Sequence, residues 1–191
     1  MKHQIVTAIK AILFFTILTG VAYPLLITGI VQLAFRQKAN GSIVFQKGKP
    51  IGSTLIGQSF TSEKYFWPRP SAVSYNPELS GATNLGPTSS KLRQQIEQRR
   101  KDFIQRNYLP QNTVVPAEMV TCSASGLDPH ISPEAAMLQL DRVAKARGLN
   151  SRQRGEVEEI IHQLSLEKSE LALGDARVNV FELNLRINQL Q

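Results

Sequence analysis

The 191-residue chain has no acidic residue before Glu63 and only one cysteine, Cys122. A lone thiol excludes an intramolecular disulfide and leaves the redox compartment unread. There is no second apolar run of membrane-spanning length, no internal repeat and no low-complexity tract. No Ala-x-Ala site and no cysteine closely follows the first apolar run, which argues against a cleaved signal peptide and a lipoprotein anchor. The missing acids also locate the net charge of +7. Lys2, Lys10, Arg36, Lys38, Lys47 and Lys49 all precede Glu63, and from there on basic and acidic residues nearly balance. A nucleic-acid-binding domain clusters its charge on the folded part. Here the excess flanks an apolar segment, so nucleic acid is discounted as a partner.

What the chain does have is a run without charge from Ala11 to Phe35, closed by Lys10 and Arg36. As a helix it extends roughly 37 Å, enough to cross a hydrocarbon core of about 30 Å with some tilt. Lipid offers the backbone no hydrogen-bond partners, so a lone span of this kind must be helical. The run is too long for a signal-peptide core of about 7–15 residues. It is also longer than a buried core helix needs. The chain therefore reads as a short N-terminus (1–10), a transmembrane helix (11–35) and one soluble domain (36–191). Pro24 is expected to kink or loosen the span. Thr16 and Gly20 form a small-xxx-small pair against which a second helix can pack closely. Basic residues stand on both sides of the span, so charge alone leaves the orientation open.

Residues 40–87 are rich in Gly, Pro, Ser and Asn. Ile43-Val44-Phe45 and Ser53-Thr54-Leu55-Ile56 read as short strands. Tyr65-Phe66-Trp67-Pro68-Arg69-Pro70-Ser71 is an aromatic–proline cluster whose large side chains argue for an ordered, packed loop. A helix is predicted from about Thr88 to Asn107, solvated, with Leu92, Ile96 and Phe103 on one face. Val114–Thr121 reads as a strand or a short helical turn. Ser132-Pro133-Glu134 opens a helix that Gly148 closes. Another starts at Ser151 and runs to about Leu164. Val178–Leu190 is assigned to helix because Asn179 and Glu182 have capping-box spacing, although Leu183, Leu185 and Ile187 also alternate as in a strand. The fold class is α+β: one N-terminal transmembrane helix, then a single mixed domain.

Three stretches invite chemistry. Gly52-Ser-Thr-Leu-Ile-Gly57-Gln58-Ser59 nearly spells a phosphate-binding loop, but Gln58 stands where the lysine belongs, and no helix starts after it. A strand between tight turns explains both glycines. Ser125, Asp128 and His130 bring a hydrolase-like set into one short segment, without a G-x-S-x-G elbow. Asp128 and His130 flank a proline and read more simply as turn and capping groups. Cys122, Asp128 and His130 lack a second cysteine or histidine at metal-ligand spacing. The Asp-Lys-Thr-Gly-Thr phosphorylation motif of P-type pumps is absent, so the chain is not a pump by itself.

Taken together, the motifs resemble one family. They are Thr19-Gly20-Val21-Ala22-Tyr23-Pro24-Leu25, the Gly52–Gln58 stretch, the Tyr65–Ser71 cluster, Tyr75-Asn76, and Ser80-Gly81-Ala82-Thr83-Asn84-Leu85-Gly86-Pro87. Ser123–Ser132, Arg142–Arg147, Arg177–Val180 and Leu183-Asn184-Leu185 come next, in order. This set is similar to the C subunit of the bacterial Kdp potassium-transporting P-type ATPase. The resemblance implies a single-pass, non-catalytic subunit of the inner membrane, with a cytoplasmic N-terminus and an extracytoplasmic domain. The implied partners are a potassium-selecting channel-like subunit, a P-type ATPase subunit and the lipid bilayer. ATP and potassium are handled by the complex, and no firmly bound cofactor is expected. The family has been described as a catalytic chaperone that raises the ATP affinity of the pumping subunit. Stabilising the potassium entrance is the preferred reading, and an anchored hydrolase using Ser125 and His130 is the rival. Thr16, Gly20, Pro24, Gln58, Tyr65, Arg69, Asn76, Asn84, Ser125, Asp128, His130, Arg142 and Asn179 are the candidate partner or structural residues.

Overall fold

Proline at position 24 lacks an N–H and crowds the carbonyl four residues back, so a regular α-helix cannot pass through it undisturbed. In the computed structural model, which describes residues 2–169 and 175–190, the anchor resolves this with one wide turn. Helix α1 (Lys2–Ile17) passes through a π-helical turn at Leu18–Ala22 into α2 (Tyr23–Ala34). The Tyr23 N–H donates to the Leu18 carbonyl, five residues back, the pattern of a π-bulge. Thr19 Oγ1 donates to the Phe15 carbonyl at 2.6 Å, so its hydroxyl is satisfied within the helix. The helix is thus longer than the uncharged run and begins at Lys2. It ends where Phe35 leaves helical geometry at φ −138°. Lys2–Ala34 is long and apolar enough to cross a membrane. A short helix, α3 (Arg36–Ala39), completes the first of two compact units, 1–43.

Among its described residues, the second unit, 44–191, contains four main helices: α4 (Ser90–Arg106), α5 (Pro133–Arg147), α6 (Ser151–Ser169) and α7 (Val180–Ile187). Their ends are set by local chemistry. Ser89, Ser132 and Asn179 accept the N–H groups of Leu92, Ala135 and Glu182, each satisfying a first-turn donor. Gly148 closes α5 in the left-handed region at φ 68°, where a side chain would be strained. The buried faces of α5, α6 and α7, with Phe103 of α4, meet around Leu140, Val143, Ile161, Leu164 and Leu183. Phe66, fully buried, enters this core from the long loop.

Strand content is small. β1 (Ile43–Gln46) and β2 (Lys49–Ser53) form a hairpin, and β3 (His130–Ile131) pairs antiparallel with β4 (Val178–Asn179). The second expected strand is therefore displaced. It lies over Lys49–Ser53, and Thr54-Leu55-Ile56 turn away from it. The cause is the Lys47-Gly48 turn, with φ of 49° and 76°: two successive left-handed residues reverse the chain, so pairing starts at once with Lys49. Val114–Thr121 contains a single 3-10 turn, Ala117–Met119. α6 runs five residues past the expected Leu164. Val178-Asn179 form the β4 bridge before α7 begins, and the strand reading of Leu183–Ile187 is lost to helix.

Candidate functional site

A loop without secondary structure must still satisfy its peptide groups, and the carbonyls of Ser62–Trp67 show how. Trp67 Nε1 donates to the Ser62 carbonyl at 3.0 Å. Arg142 Nη1 reaches the carbonyls of Glu63 and Tyr65, and Arg147 Nε that of Lys64 at 2.6 Å. Asn184 grips Phe66 at both ends, accepting its N–H at 2.8 Å and donating to its carbonyl at 2.9 Å. Gln139 does the same for Trp67 at 2.8 and 3.2 Å. Two side-chain amides thus do for this loop what a neighbouring strand does in a sheet. Arg142 is 1% exposed. Its remaining donors go to Asn107 Oδ1 and Gln139 Oε1 at 2.8 and 3.0 Å, and its guanidinium lies 3.5 Å from the Trp67 ring centroid. Burial pulls its pKa down to about 10, partly offset by Glu63, so it remains charged at neutral pH. Gln139, Asn184, Asn107 and Arg147 were not among the expected site residues. For Gln139 a signal existed: it sits three residues before Arg142 on a stripe otherwise made of Ala135, Ala136 and Val143.

A second cluster ties the chain after this loop to residues 123–130. Arg69 Nη1 pairs with Asp128 at 2.7 Å. Asp128 Oδ1 also accepts the His130 N–H at 3.0 Å and lies 3.3 Å from His130 Nδ1. The Tyr75 hydroxyl donates to the Arg69 carbonyl. Burial and nearby Cys122 raise its pKa to about 12 against the pull of Arg69, which keeps it a neutral donor. Ser71 Oγ donates to the Gly126 carbonyl at 2.7 Å, and the Gly81 N–H donates to that of Ser125 at 2.9 Å. Gly126 allows this approach. It holds φ at 69°, and a Cβ there would lie 2.6 Å from Val73 and 2.9 Å from the Gly81 carbonyl. Arg69 and Asp128 border two open grooves. One is about 590 Å³, with Leu55, Ser123 and Ser125. The other is about 340 Å³, with Glu118, His130 and Arg177.

Burial alone raises the Asp128 pKa, but the His130 ring, its N–H and the Arg69 guanidinium outweigh it and bring the carboxyl to about 2 from an ordinary 3.8. A depressed carboxylate stabilises the fold above its unfolded pKa, and that contribution disappears as pH falls through the folded value. The melting difference between the parent and Asp128→Asn is therefore expected to be full above about pH 4 and to close toward pH 2. Its size is about 1–2 kcal/mol once partial exposure to solvent is discounted. Thermal melts at stepped pH check this, and a difference independent of pH contradicts it.

The remaining expected residues are dispersed. Asn76 caps the 3-10 turn Pro77–Leu79. Asn179 donates to the Thr54 carbonyl at 2.8 Å while capping α7. Tyr65 packs against Phe60 with the rings tilted by 48°, and the Arg147 guanidinium lies over its face. Asn84 is exposed in the loop at φ 53°. Thr16, Gly20 and Pro24 lie on the anchor. Ser125 Oγ accepts the Leu127 N–H, and among the described residues no hydrogen bond joins Ser125 to His130. No group of three or more His, Cys, Asp or Glu side chains among the described residues is placed to hold a metal.

The near-phosphate loop is used for packing. Gly52 lies in β2, the Gly57 N–H donates to the Leu127 carbonyl at 2.7 Å, and Gln58 Nε2 donates to the Ile51 carbonyl. A Cβ on Gly52 would lie 2.8 Å from Phe181, and one on Gly57 would lie 2.8 Å from the Asp128 carbonyl. Gly57 thus permits close approach of two backbone segments, and Gly52 leaves room for the Gln58 and Phe181 side chains.

These features define a protein with one helix able to cross a membrane and an α+β domain whose conspicuous polar residues mostly hold its own loops. A family model described as K+-transporting ATPase, c chain, matches residues 5–189, and the chain belongs to that family. The potassium-transporting ATPase KdpC subunit of Mycobacterium tuberculosis (strain H37Rv) is 43% identical over 192 residues, covering 100% of both chains. That of Caldanaerobacter subterraneus subsp. tengcongensis is 44% identical, over 98% of this chain and 95% of its own. That of Geobacter metallireducens is 43% identical over 98% of each.

Proposed function

We propose that the chain is a non-catalytic accessory subunit of a high-affinity, ATP-driven potassium uptake system in the bacterial inner membrane. It crosses the membrane once, places its C-terminal domain on the extracytoplasmic side, and stabilises the assembly at the potassium entrance. A potassium-selecting channel-like subunit and a phosphorylated P-type ATPase subunit bind the ion and the nucleotide. Any effect on ATP affinity passes through contacts with those partners. The observation that carries this reading, beside family membership, is the fate of Gly52–Ser59. A phosphate-binding loop aims free backbone N–H groups at its ligand from the start of a helix. Here the Gly57 N–H is occupied by Leu127, and no helix starts after it.

Affinity purification of the tagged chain in mild detergent tests the proposal. The expected result is co-purification of a large polytopic protein and a phosphorylatable pump, with potassium-stimulated ATPase activity. Photolabelling of that preparation with an azido-nucleotide is expected to mark the pump subunit and leave this chain unmarked. Recovery of the chain alone at normal expression overturns the assembly reading. ATP-competed labelling of this chain overturns the division of labour.

A further inference from the structure

We propose that the β1–β2 hairpin is an interfacial foot, resting on the anionic headgroups of the bilayer that the anchor crosses. Ile43 and Phe45 alternate along β1 and so project on the same side of the strand. They are 44% and 63% exposed, and Leu55, just beyond β2, is 56% exposed. Lys47 and Lys49 stand exposed at the turn. Arg36 and Lys38, also exposed, precede the hairpin, and no acid interrupts the chain until Glu63. Among the described residues none of these four cations joins an ion pair. An exposed apolar edge with no cover is a site of unwanted strand pairing.

The occupant is identified by composition and by the covalent chain. Eight peptide steps separate Phe35 from Ile43, so β1 begins within roughly 28 Å of the end of the span, whatever the path. An aromatic and a branched aliphatic side chain suit the boundary between headgroups and acyl chains. Lysine stems lie along apolar surface while their ammonium groups reach phosphate. Lys47 and Lys49, with no acid between them, complement an anionic surface and confer no preference for a zwitterionic one.

The chain's single tryptophan, Trp67, is buried, which makes a clean probe available. The full-length Phe45→Trp variant keeps an aromatic at the foot, and the parent supplies the Trp67 baseline. Both are reconstituted into nanodiscs of phosphatidylcholine alone or mixed with phosphatidylglycerol, with brominated acyl chains as quencher. The added tryptophan is expected to emit to the blue and to be quenched in the anionic discs, less so in the neutral ones. Lys47→Glu with Lys49→Glu is expected to reduce the immersed population by about fivefold or more, from the attraction each cation near the surface supplies. Water-like emission with quenching no greater than the parent's in both lipids overturns the proposal. So does quenching that ignores the two glutamates. A blue shift that appears only when partner subunits co-purify, without lipid quenching, also overturns it and assigns the face to a protein contact.

Discussion

Arg142→Met is expected to destabilise the soluble domain by about 3–5 kcal/mol, one of the two largest single-residue effects expected in this chain. Replacing a buried charge with a well-packed apolar side chain is often neutral, because the desolvation cost disappears with the charge. That outcome requires the partners to go too. Here they stay: the carbonyls of Glu63 and Tyr65 and Asn107 Oδ1 lose the Arg142 donor together, and Gln139 Oε1 keeps only the Trp67 N–H. The Trp67 ring also loses the nearer of its two cations, Arg142 at 3.5 Å, and keeps Arg106 at 4.4 Å; a desolvated contact of this kind is worth about 2 kcal/mol. Arg142→Lys is expected to recover little, since one ammonium cannot reproduce a planar fork with donors on several sides. Thermal melts of the full chain in detergent check both variants. For a chain of this size each kcal/mol corresponds to roughly 2–4 °C. A melt for Arg142→Met within a degree or two of the parent removes the energetic case for this staple.

The parts of the fold legible in the sequence are those whose causes are local. Ser132-Pro133-Glu134 and Gly148 bracket α5 because a cap needs only its own first or last turn. Asn179 and Glu182 mark α7 in the same way. The β2 boundary was not legible because turn geometry outranked propensity. β2 contains Pro50 and Gly52, both poor strand formers, yet it pairs because Lys47-Gly48 reverses the chain beside it. The loop clamp was legible only as a set of unusual residues. The aromatic–proline cluster showed an ordered loop, and Arg142 stood out. Nothing local says that Arg142 captures carbonyls 77 and 79 residues away, or that Asn184 grips Phe66 across 118. Such pairings exist only once α5 and α7 are packed. The π turn lies between these cases: Pro24 foretold a disturbance of the anchor, but its form, an added residue in the turn, depends on how the backbone shares the missing bond.

Asn184→Leu, nearly volume-conserving, should cost about 2–5 kcal/mol, because the buried Phe66 N–H and carbonyl are stranded together at about 1–3 kcal/mol each. Gln139→Leu does the same to Trp67 and also takes an acceptor from Arg142. The two amides hold consecutive residues of one segment, so their effects are coupled. Once either releases the loop, the other has less to hold, and the double variant is expected to lose clearly less than the sum of the singles. A melt series of parent, singles and double measures that coupling; additivity within about 0.5 kcal/mol contradicts it. The same variants probe the proposed role in the assembled pump. If the domain steadies a potassium entrance, releasing this loop raises the potassium concentration needed for half-maximal ATPase activity and leaves that for ATP in place. A change confined to ATP instead assigns the domain to the nucleotide side of the cycle.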